Sequence, residues 1–501
     1  MKLLNGKQMA HVDKRVIEEY GISSIQLMEQ AGRQLFYTMS EMVSKDDHIL
    51  IVCGSGNNGG DGYVLARLLD ANGYKVELLA LETKQLHKDC QINLELCTNL
   101  NLHFVTEIGT PTVIVDAIFG TGLSRYIEGK YKTIIEKMNT NDAKVISIDI
   151  PSGIDSKSGK VLGVAVEADV SLSLQTGKIG MYLYPGRIYS GKIRVLDIGI
   201  PNKLMEEVDS NIYLTDKEMM KSFLPKRSVH SNKGSYGKVL CVGGSTKMSG
   251  AISLAAIAAL RSGCGLLSCA IPESIREVVA TNVLESMYLP LPEKDGQISK
   301  KATMVLKDEI ENYNCILIGC GIGRSKDIVE VLRGLLESKV PLLIDADALF
   351  ALKEILPQYK NRKHLIITPH IKEFSRLIDV DVHKIVEDPI TYGLQFTKMY
   401  PNITLVLKSE TSFVIQGRSV YINTYGNNGL AKGGSGDVLA GIIIGLYAQK
   451  QNELEAAVLG VFLHAYSADL LLKKQTFYSI LPSDIFKEID VIIKGLEGDT
   501  L

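Results

Sequence analysis

Two layered α/β domains in tandem are what this chain predicts, and three observations carry that reading. Apolar runs of strand length alternate with helical patterns along the sequence. Many of those runs stop in a cluster of glycines and acids. A length of 501 residues is enough for two or three separately cored domains. A helix is expected over 22–42, with apolar residues at Ile25, Leu27, Met28, Ala31 and Leu35. A strand over 48–53 then runs into Gly54-Ser55-Gly56-Asn57-Asn58-Gly59-Gly60-Asp61-Gly62, followed by a helix over 63–70 and a strand over 75–81. Gly54, Gly56 and Gly59 match a dinucleotide fingerprint, with Glu82 as the acid at the end of the second strand. Paired amides and a carboxylate at Asn57, Asn58 and Asp61 argue against a plain dehydrogenase loop and for a turn that holds a polar ligand, its oxygens open to a cation. The blander alternative is a glycine turn with Asn in left-handed conformations. Strands over 112–115 and 144–148 end the same way, in Asp116 with Gly120 and Gly122, and in Asp149 with Ser152 and Gly153. Ligands of open α/β sheets bind beyond the strands' carboxyl ends, where these groups fall.

Composition narrows the class. A net charge of -2 offers no basic surface for nucleic acid or anionic membrane. The eight cysteines contain no Cys-x-x-Cys pair and several lie in apolar runs, so they are read as reduced core thiols of a cytoplasmic protein. Residues 1–13 lack the apolar run of a signal peptide. The greasiest stretch, 250–271, carries Arg261 and several glycines and is expected to split into a buried helix and a strand, with no membrane span. The pattern weakens after residue 201, and the boundary is placed near Thr215, giving domains 1–214 and 215–501 with no clear repeat between them.

In the second half, strands are expected over 238–242, 314–318, 342–344, 364–367 and 404–407. Their ends carry Gly243-Gly244-Ser245, Gly319-Cys320-Gly321-Ile322-Gly323, Asp345-Ala346-Asp347, Thr368-Pro369-His370 and Lys408. Asp345 and Asp347 could serve simply as helix caps. His370 and Glu373 lie three apart, yet no third ligand is near, so a structural or substrate-contacting role outweighs a metal site. No Gly-x-x-x-x-Gly-Lys-Ser/Thr loop follows any of these strands, which leaves phosphate binding to Gly433-Gly434-Ser435-Gly436-Asp437 ahead of the apolar run 438–447. A carboxylate in a phosphate cradle needs a task, and accepting the proton of a hydroxyl that attacks a terminal phosphate supplies one; a capping role for Asp437 is the alternative.

The first half, through Leu27-Met28-Glu29-Gln30-Ala31-Gly32, the glycine run at 54–62, Asp116-Ala117-Ile118-Phe119-Gly120-Thr121-Gly122 and Asp149-Ile150-Pro151-Ser152-Gly153, resembles NAD(P)H-hydrate epimerase domains. The second half resembles ribokinase-like NAD(P)HX dehydratase domains through Lys233-Gly234, Tyr236-Gly237-Lys238, Ser249-Gly250-Ala251, Gly319, Gly321 and Gly323, Asp345 to Leu349, Thr368-Pro369-His370 with Glu373, and the late glycine loop. The resemblance implies a Rossmann-like three-layer domain followed by a ribokinase-like three-layer domain. It implies substrate contacts from Asn57, Asn58, Gly59, Gly60 and Asp61, from Gly120, Thr121, Gly122, Leu123, Ser124, Arg125 and Tyr126, and from Asp149. Potassium would sit on Asn58, Asp116 and Ser152, whose hard oxygens suit such a cation. Asp149 is the chosen acid/base group, with Asp61 and Asp116 as alternatives.

In the dehydratase half the resemblance implies substrate contacts at Ala251, Gly321, His370 and Asp437. Nucleotide contacts would come from Lys408, Ser409, Glu410, Thr411 and Ser412, from Asn427, Asn428, Gly429, Leu430, Ala431 and Lys432, and from Gly433, Gly434, Ser435 and Gly436. Cys320 stands where that family usually has Pro, and Ser409 where it usually has Gly. ADP or ATP is the implied co-substrate, with magnesium, and a homo-oligomer is implied too. Three rivals stand beside this reading: a ribokinase-type small-molecule kinase, a dehydrogenase using Gly54 to Gly59, and a first half that binds nucleotide without turnover.

Overall fold

The computed structural model describes residues 1–82 and 84–498. They form two compact units, Met1–Ile212 and Tyr213–Leu501.

The first unit is built on seven strands, β1 (His48–Cys53), β2 (Lys75–Ala80), β3 (His103–Phe104), β4 (Val113–Ala117), β5 (Lys144–Ile148), β6 (Val170–Leu174) and β7 (Lys192–Leu196). Their order is β3-β2-β1-β4-β5-β6-β7, and each pairing is parallel. The order reverses at β1, so the carboxyl ends of β1 and β4 open a crevice. The central strands are nearly continuous in buried Ile, Leu and Val, as a sheet covered on both faces requires.

Helices α1 (Gly6–Tyr20), α2 (Ser24–Ser40) and α3 (Asn57–Ala71) frame that crevice, and two of them correct the sequence reading. α1 is a helix where none was expected. Its start is a reciprocal cap in which Gln8 N donates to Asn5 Oδ1 at 3.0 Å and Asn5 N to Gln8 Oε1 at 2.9 Å. α3 begins at Asn57 rather than at residue 63, so Asn57 to Gly62 form the helix's first turns and no loop. Neither Asn57 nor Asn58 is left-handed. The glycines serve close packing: a Cβ on Gly59 would stand 2.1 Å from the Gly54 carbonyl oxygen, one on Gly60 2.5 Å from Met28, and one on Gly62 2.6 Å from Ala117. Asp116 likewise lies within β4 and not beyond its end. A buried carboxylate is tolerated inside a strand because backbone and hydroxyl donors saturate it (below).

The second unit's sheet contains, in order, Met287–Leu291, Leu266–Pro272, Lys238–Val242, Cys315–Ile318, Leu342–Ile344, Leu365–Ile367, Ile403–Leu407, Ser412–Gln416 and Ser419–Asn423. The pairings are parallel as far as Ile403–Leu407 and antiparallel after it. The stretch 250–271 divides as expected into the helix Ser249–Arg261 and the strand Leu266–Pro272. Glu453–Leu471 has the length and hydropathy to cross a membrane, but it is mostly buried among the core helices of this unit. All eight cysteines are buried and free.

Helices Ser249–Arg261 and Ser435–Tyr447 touch along small residues. A Cβ on Gly441 would meet the Ala255 carbonyl oxygen at 2.2 Å, and one on Gly445 the Ala259 carbonyl oxygen at 2.4 Å. This approach holds the glycine loop at the start of Ser435–Tyr447 against the sheet. Gly441→Val is therefore expected to destabilise the second unit by about 1–3 kcal/mol. The check is a drop in the denaturant midpoint of that unit's transition with the first unit's unchanged.

Candidate active sites

The crevice of the first unit is a cleft of ≈ 570 Å³, a size suited to a small-molecule ligand. Asn57, Asn58 and Asp61 line it from the first turns of α3; Gly120, Thr121, Gly122, Leu123, Ser124 and Arg125 line it from the loop after β4; and Asp149 lines it from the end of β5. Gly59, Gly60 and Tyr126 are not among the lining residues. The two glycines are spent on the packing just described, and the Tyr126 side chain is largely exposed.

Asp149 is held in place by two unusual features. Its backbone is left-handed, with φ +67°, a conformation costly for a residue with a side chain and found where surrounding structure enforces it. Its carboxylate accepts from Leu174 N at 3.1 Å and forms an ion pair with Lys178, a side chain with no exposed surface. Lys178 Nζ also donates to the carbonyls of Leu174 at 2.8 Å and Thr176 at 3.0 Å, and to Ser173 Oγ at 3.2 Å. Lys178 lines the cleft, as do Asp13 and Met9 of α1 and Leu27 and Met28 of α2. Sequence reasoning missed Lys178 and Asp13. The Asn5-x-x-Gln8 cap could have revealed α1 and hence Asp13, whereas nothing local marks Lys178. Asp61 is driven well above the carboxylate range by burial and by the charges of Asp149 and Asp13.

Asp116 and Ser152 form a closed cluster beneath the cleft. Asp116 accepts from Ser152 Oγ at 2.6 Å, Ser152 N at 2.8 Å, Ser147 Oγ at 2.9 Å and Ile118 N at 3.2 Å. Burial raises its pKa, and these donors work against the rise. Asn58 is buried with its amide nitrogen lacking a hydrogen-bond partner, beside Gly120. Glu82, the acid of the dinucleotide fingerprint, instead pairs with Lys130 at 2.6 Å and accepts from Tyr131 Oη at 3.1 Å.

In the second unit Asp437 sits in the first turn of Ser435–Tyr447, behind Gly434 at φ +97°. Its carboxyl is raised to about 6, first by burial and then by the charge of Asp345, against a hydrogen bond from the Cys320 thiol and the charge of Lys408. Ligand atoms of Cys320, Asp345 and Asp437 lie within 4.8 Å of one another. Asp345 caps no helix with its side chain: it pairs with Lys408 Nζ at 2.8 Å and accepts from Thr368 Oγ1 at 2.6 Å. Lys408 Nζ lies 3.4 Å from where a Gly436 Cβ would be, so an ammonium stands at the glycine loop. Burial works against that charge, but Asp345 and Glu373 outweigh it and raise the pKa. Below the loop, Ser435 Oγ lies 3.2 Å from His464 Nε2, and burial pushes that imidazole down to about 4, leaving it neutral.

Gly319, Gly321 and Gly323 all have positive φ. A Cβ on Gly321 would meet Ala251 at 2.9 Å, so these two expected substrate contacts are neighbours. His370 caps the helix Ile371–Ile378 by accepting from Lys372 N and Glu373 N, while its own N–H donates to Glu373 at 2.9 Å. That reciprocal cap accounts for the pair without a metal. His370 also bridges to Lys408 across adjacent strands, which brings it to the same sheet edge.

The longer nucleotide segments divide. Ser409, Glu410 and Thr411 form the turn between Ile403–Leu407 and Ser412–Gln416, where Ser412 Oγ donates to Ser409 O at 3.3 Å. Gly433 is exposed with open space around its Cα, and Gly434 and Gly436 flank buried Ser435. Asn427 and Lys432 are occupied internally. Asn427 donates to Asp469 at 3.0 Å and accepts from Gly429 N at 3.0 Å, and Lys432 Nζ donates to the carbonyls of Tyr478 and Ile480 at 2.6 and 2.5 Å. Asn428 and Ala431 are exposed, and Leu430 packs against the core.

Residues 239–491 match the model of NAD(P)H-hydrate dehydratase, and residues 24–180 that of the YjeF-related protein N-terminus. The bifunctional NAD(P)H-hydrate repair enzyme Nnr of Dictyoglomus turgidum is 37% identical, with 98% of each chain covered. This chain belongs to the family of bifunctional NAD(P)H-hydrate repair enzymes. The Moorella thermoacetica relative of the same name is 33% identical over 100% of this chain and 98% of its own. Among solved structures, the ADP/ATP-dependent NAD(P)H-hydrate dehydratase of Bacillus subtilis, co-crystallised with ATP and magnesium, has TM-score 0.50 at 26% identity, covering 57% of this chain and 99% of its own. A ribokinase-like superfamily protein of Enterococcus faecalis has TM-score 0.51, also at 26%, covering 57% and 96%.

Removing Lys178 would leave Asp149 and three further acceptors, Ser173 Oγ and the carbonyls of Leu174 and Thr176, buried without their cation. Lys178→Met is expected to cost the first unit about 3–5 kcal/mol. Urea unfolding of this variant against the wild type measures it.

Proposed function

We propose that the two units act on one damaged metabolite. Hydration of a reduced nicotinamide ring adds water across a double bond and yields two epimers that no longer donate hydride. The first unit interconverts the epimers, and the second removes water from the S epimer with ADP or ATP, releasing phosphate. Family membership along the full chain supports the pairing of activities. The observation that carries the chemistry is the Asp437 carboxyl in the first turn of a helix, behind a glycine loop and beside Lys408.

Asp437 takes the proton of the ring hydroxyl, whose oxygen attacks the terminal phosphorus and displaces AMP from ADP, or ADP from ATP. First-turn N–H groups of Ser435–Tyr447 and the Lys408 ammonium stabilise charge on the transferring group. Phosphate then departs, pushed out by the ring nitrogen lone pair, and the neighbouring ring carbon gives up its proton to water as the double bond returns; phosphate leaves far more readily than hydroxide. In the first unit Asp149 exchanges protons with the substrate, fixed in position by Lys178. Asn58, Asp116 and Ser152 would hold potassium: their oxygens are hard donors, and turning the Asn58 amide would exchange its unpartnered buried nitrogen for oxygen. Bound there, the ion supplies a fixed positive charge beside the substrate. Magnesium would accompany the nucleotide phosphates and offset their charge. Eight free, buried thiols accord with a reducing cytoplasm.

Asp437→Asn should retain nucleotide binding, measured by calorimetry, while turnover of the S epimer falls by about 100-fold or more. A base raised to about 6 is protonated below that value. Dehydration by the wild type should therefore rise with pH through about 6 and level off above it, a profile read from initial rates of NADH recovery. Asp149→Ala should slow epimer exchange and leave ADP consumption on pure S epimer unchanged; separate assays of the two steps check this. Labelled ATP distinguishes the kinase alternative, which would retain the label on an organic product.

A further inference from the structure

Reversing the configuration of the hydrated carbon needs proton traffic on both faces of the ring, and one carboxylate serves one face. That carbon lies next to the ring nitrogen, because water adds to an enamine at the carbon bearing nitrogen. A proton delivered to the hydroxyl lets the C–O bond break, with water leaving and the nitrogen lone pair forming a C=N bond. Water then adds to the opposite face and gives up a proton, so atoms and charge balance with no other reactant.

The cleft contains more carboxyls than Asp149 alone. Asp61 and Asp149 reach it from the sheet side, at the start of α3 and the end of β5. Asp13 reaches it from α1, a separate wall whose cleft-lining residues Gly6, Met9, Ala10, Asp13 and Ile17 follow helical spacing. α1 is fixed at that wall: Gly6 N donates to Ser156 Oγ at 3.0 Å, and a Cβ on Gly6 would stand 2.3 Å from the Thr121 carbonyl oxygen. The Asp13 side chain has neither a hydrogen bond nor an ion pair among the described residues, so no structural duty accounts for a carboxyl in that stripe. It also lies outside the 24–180 segment that matches the family model.

We propose that Asp13 is a second catalytic residue of the epimerase cleft, exchanging a proton with the face of the ring opposite Asp149. The inference rests on the epimerase reading of the first unit. Burial and the nearby charge of Asp149 raise Asp13 to about 6, against the charge of Lys178, so it can be both acid and base near neutrality. Asp61, held far higher, stays neutral. The other charged or titratable groups lining the cleft are Lys178, His87, Asp89 and Arg125.

The test uses the full chain and one purified epimer without ADP, following the other epimer by chromatography. Asp13→Asn should lower kcat for exchange by about 100-fold or more with KM little changed. Dehydration of S epimer with ADP should stay at the wild-type rate. Asp13→Glu, which keeps the carboxyl, should recover part of the exchange and displace the pH profile. Exchange by Asp13→Asn at the wild-type rate overturns the assignment, as does loss accompanied by a rise in KM alone. If the asparagine variant does not fold, an Asp13→Glu profile identical to the wild type overturns it. Absence of exchange by the wild type would sink the epimerase reading itself, a separate outcome.

Discussion

A carboxylate removed from water has to be neutralised, hydrogen-bonded or protonated, and both sites of this chain are arranged by which of these each acid adopts. Asp116 is hydrogen-bonded by two serine hydroxyls and two backbone amides, Asp149 and Asp345 take lysines, and Asp437, Asp61 and Asp13 are left to protonation. Asp116 holds backbone in place, Lys178 fixes the Asp149 carboxylate in the cleft, and Asp437 and Asp13, each raised to about 6, can take or give a proton near neutrality. Neither site needs a remote element to explain this sorting: in each, one lysine from the sheet edge decides which acid is paired.

Parallel sheets make the sorting possible. Their strands end on a common edge, so the segments after β1, β4 and β5, far apart in sequence, deliver Asn58 (in the first turn of α3), Ile118 and Asp149 to one cleft. In the second unit the same geometry brings Cys320, Asp345, His370 and Lys408 to the helix start that carries Asp437. Glycine has two jobs there. Gly319, Gly321, Gly323 and Gly434 adopt positive φ, whereas Gly441 and Gly445 let two helices meet at backbone distance.

The Cys320 sulfur lies within 4.8 Å of Asp437. Its thiol favours the ionised carboxylate, while burial and Asp345 oppose it. The base is thus poised by opposing influences from three different strand ends, and a change at any one moves it.

The sequence by itself determined the strands that end at the site residues, a few of the helices and the identity of the polar strand-end residues, because period, apolar runs and glycine punctuation are local properties; β3, β6, β7 and the strands Met287–Leu291, Ser412–Gln416 and Ser419–Asn423 were not expected. β1 and β5 have the bounds read from the chain, and Asp437 heads its helix as expected. Asp116 and the start of α3 were misplaced for one reason: a polar or glycine-rich run signals a loop only while its partners are unknown. Only tertiary structure decided that Ser147 and Ser152 would satisfy Asp116, that Met28 and Ala117 would demand glycines in α3, and that Lys178, 29 residues beyond Asp149, would become its counter-ion. Desolvation and ion pairing depend on distances through space, and those exist only once the chain has folded.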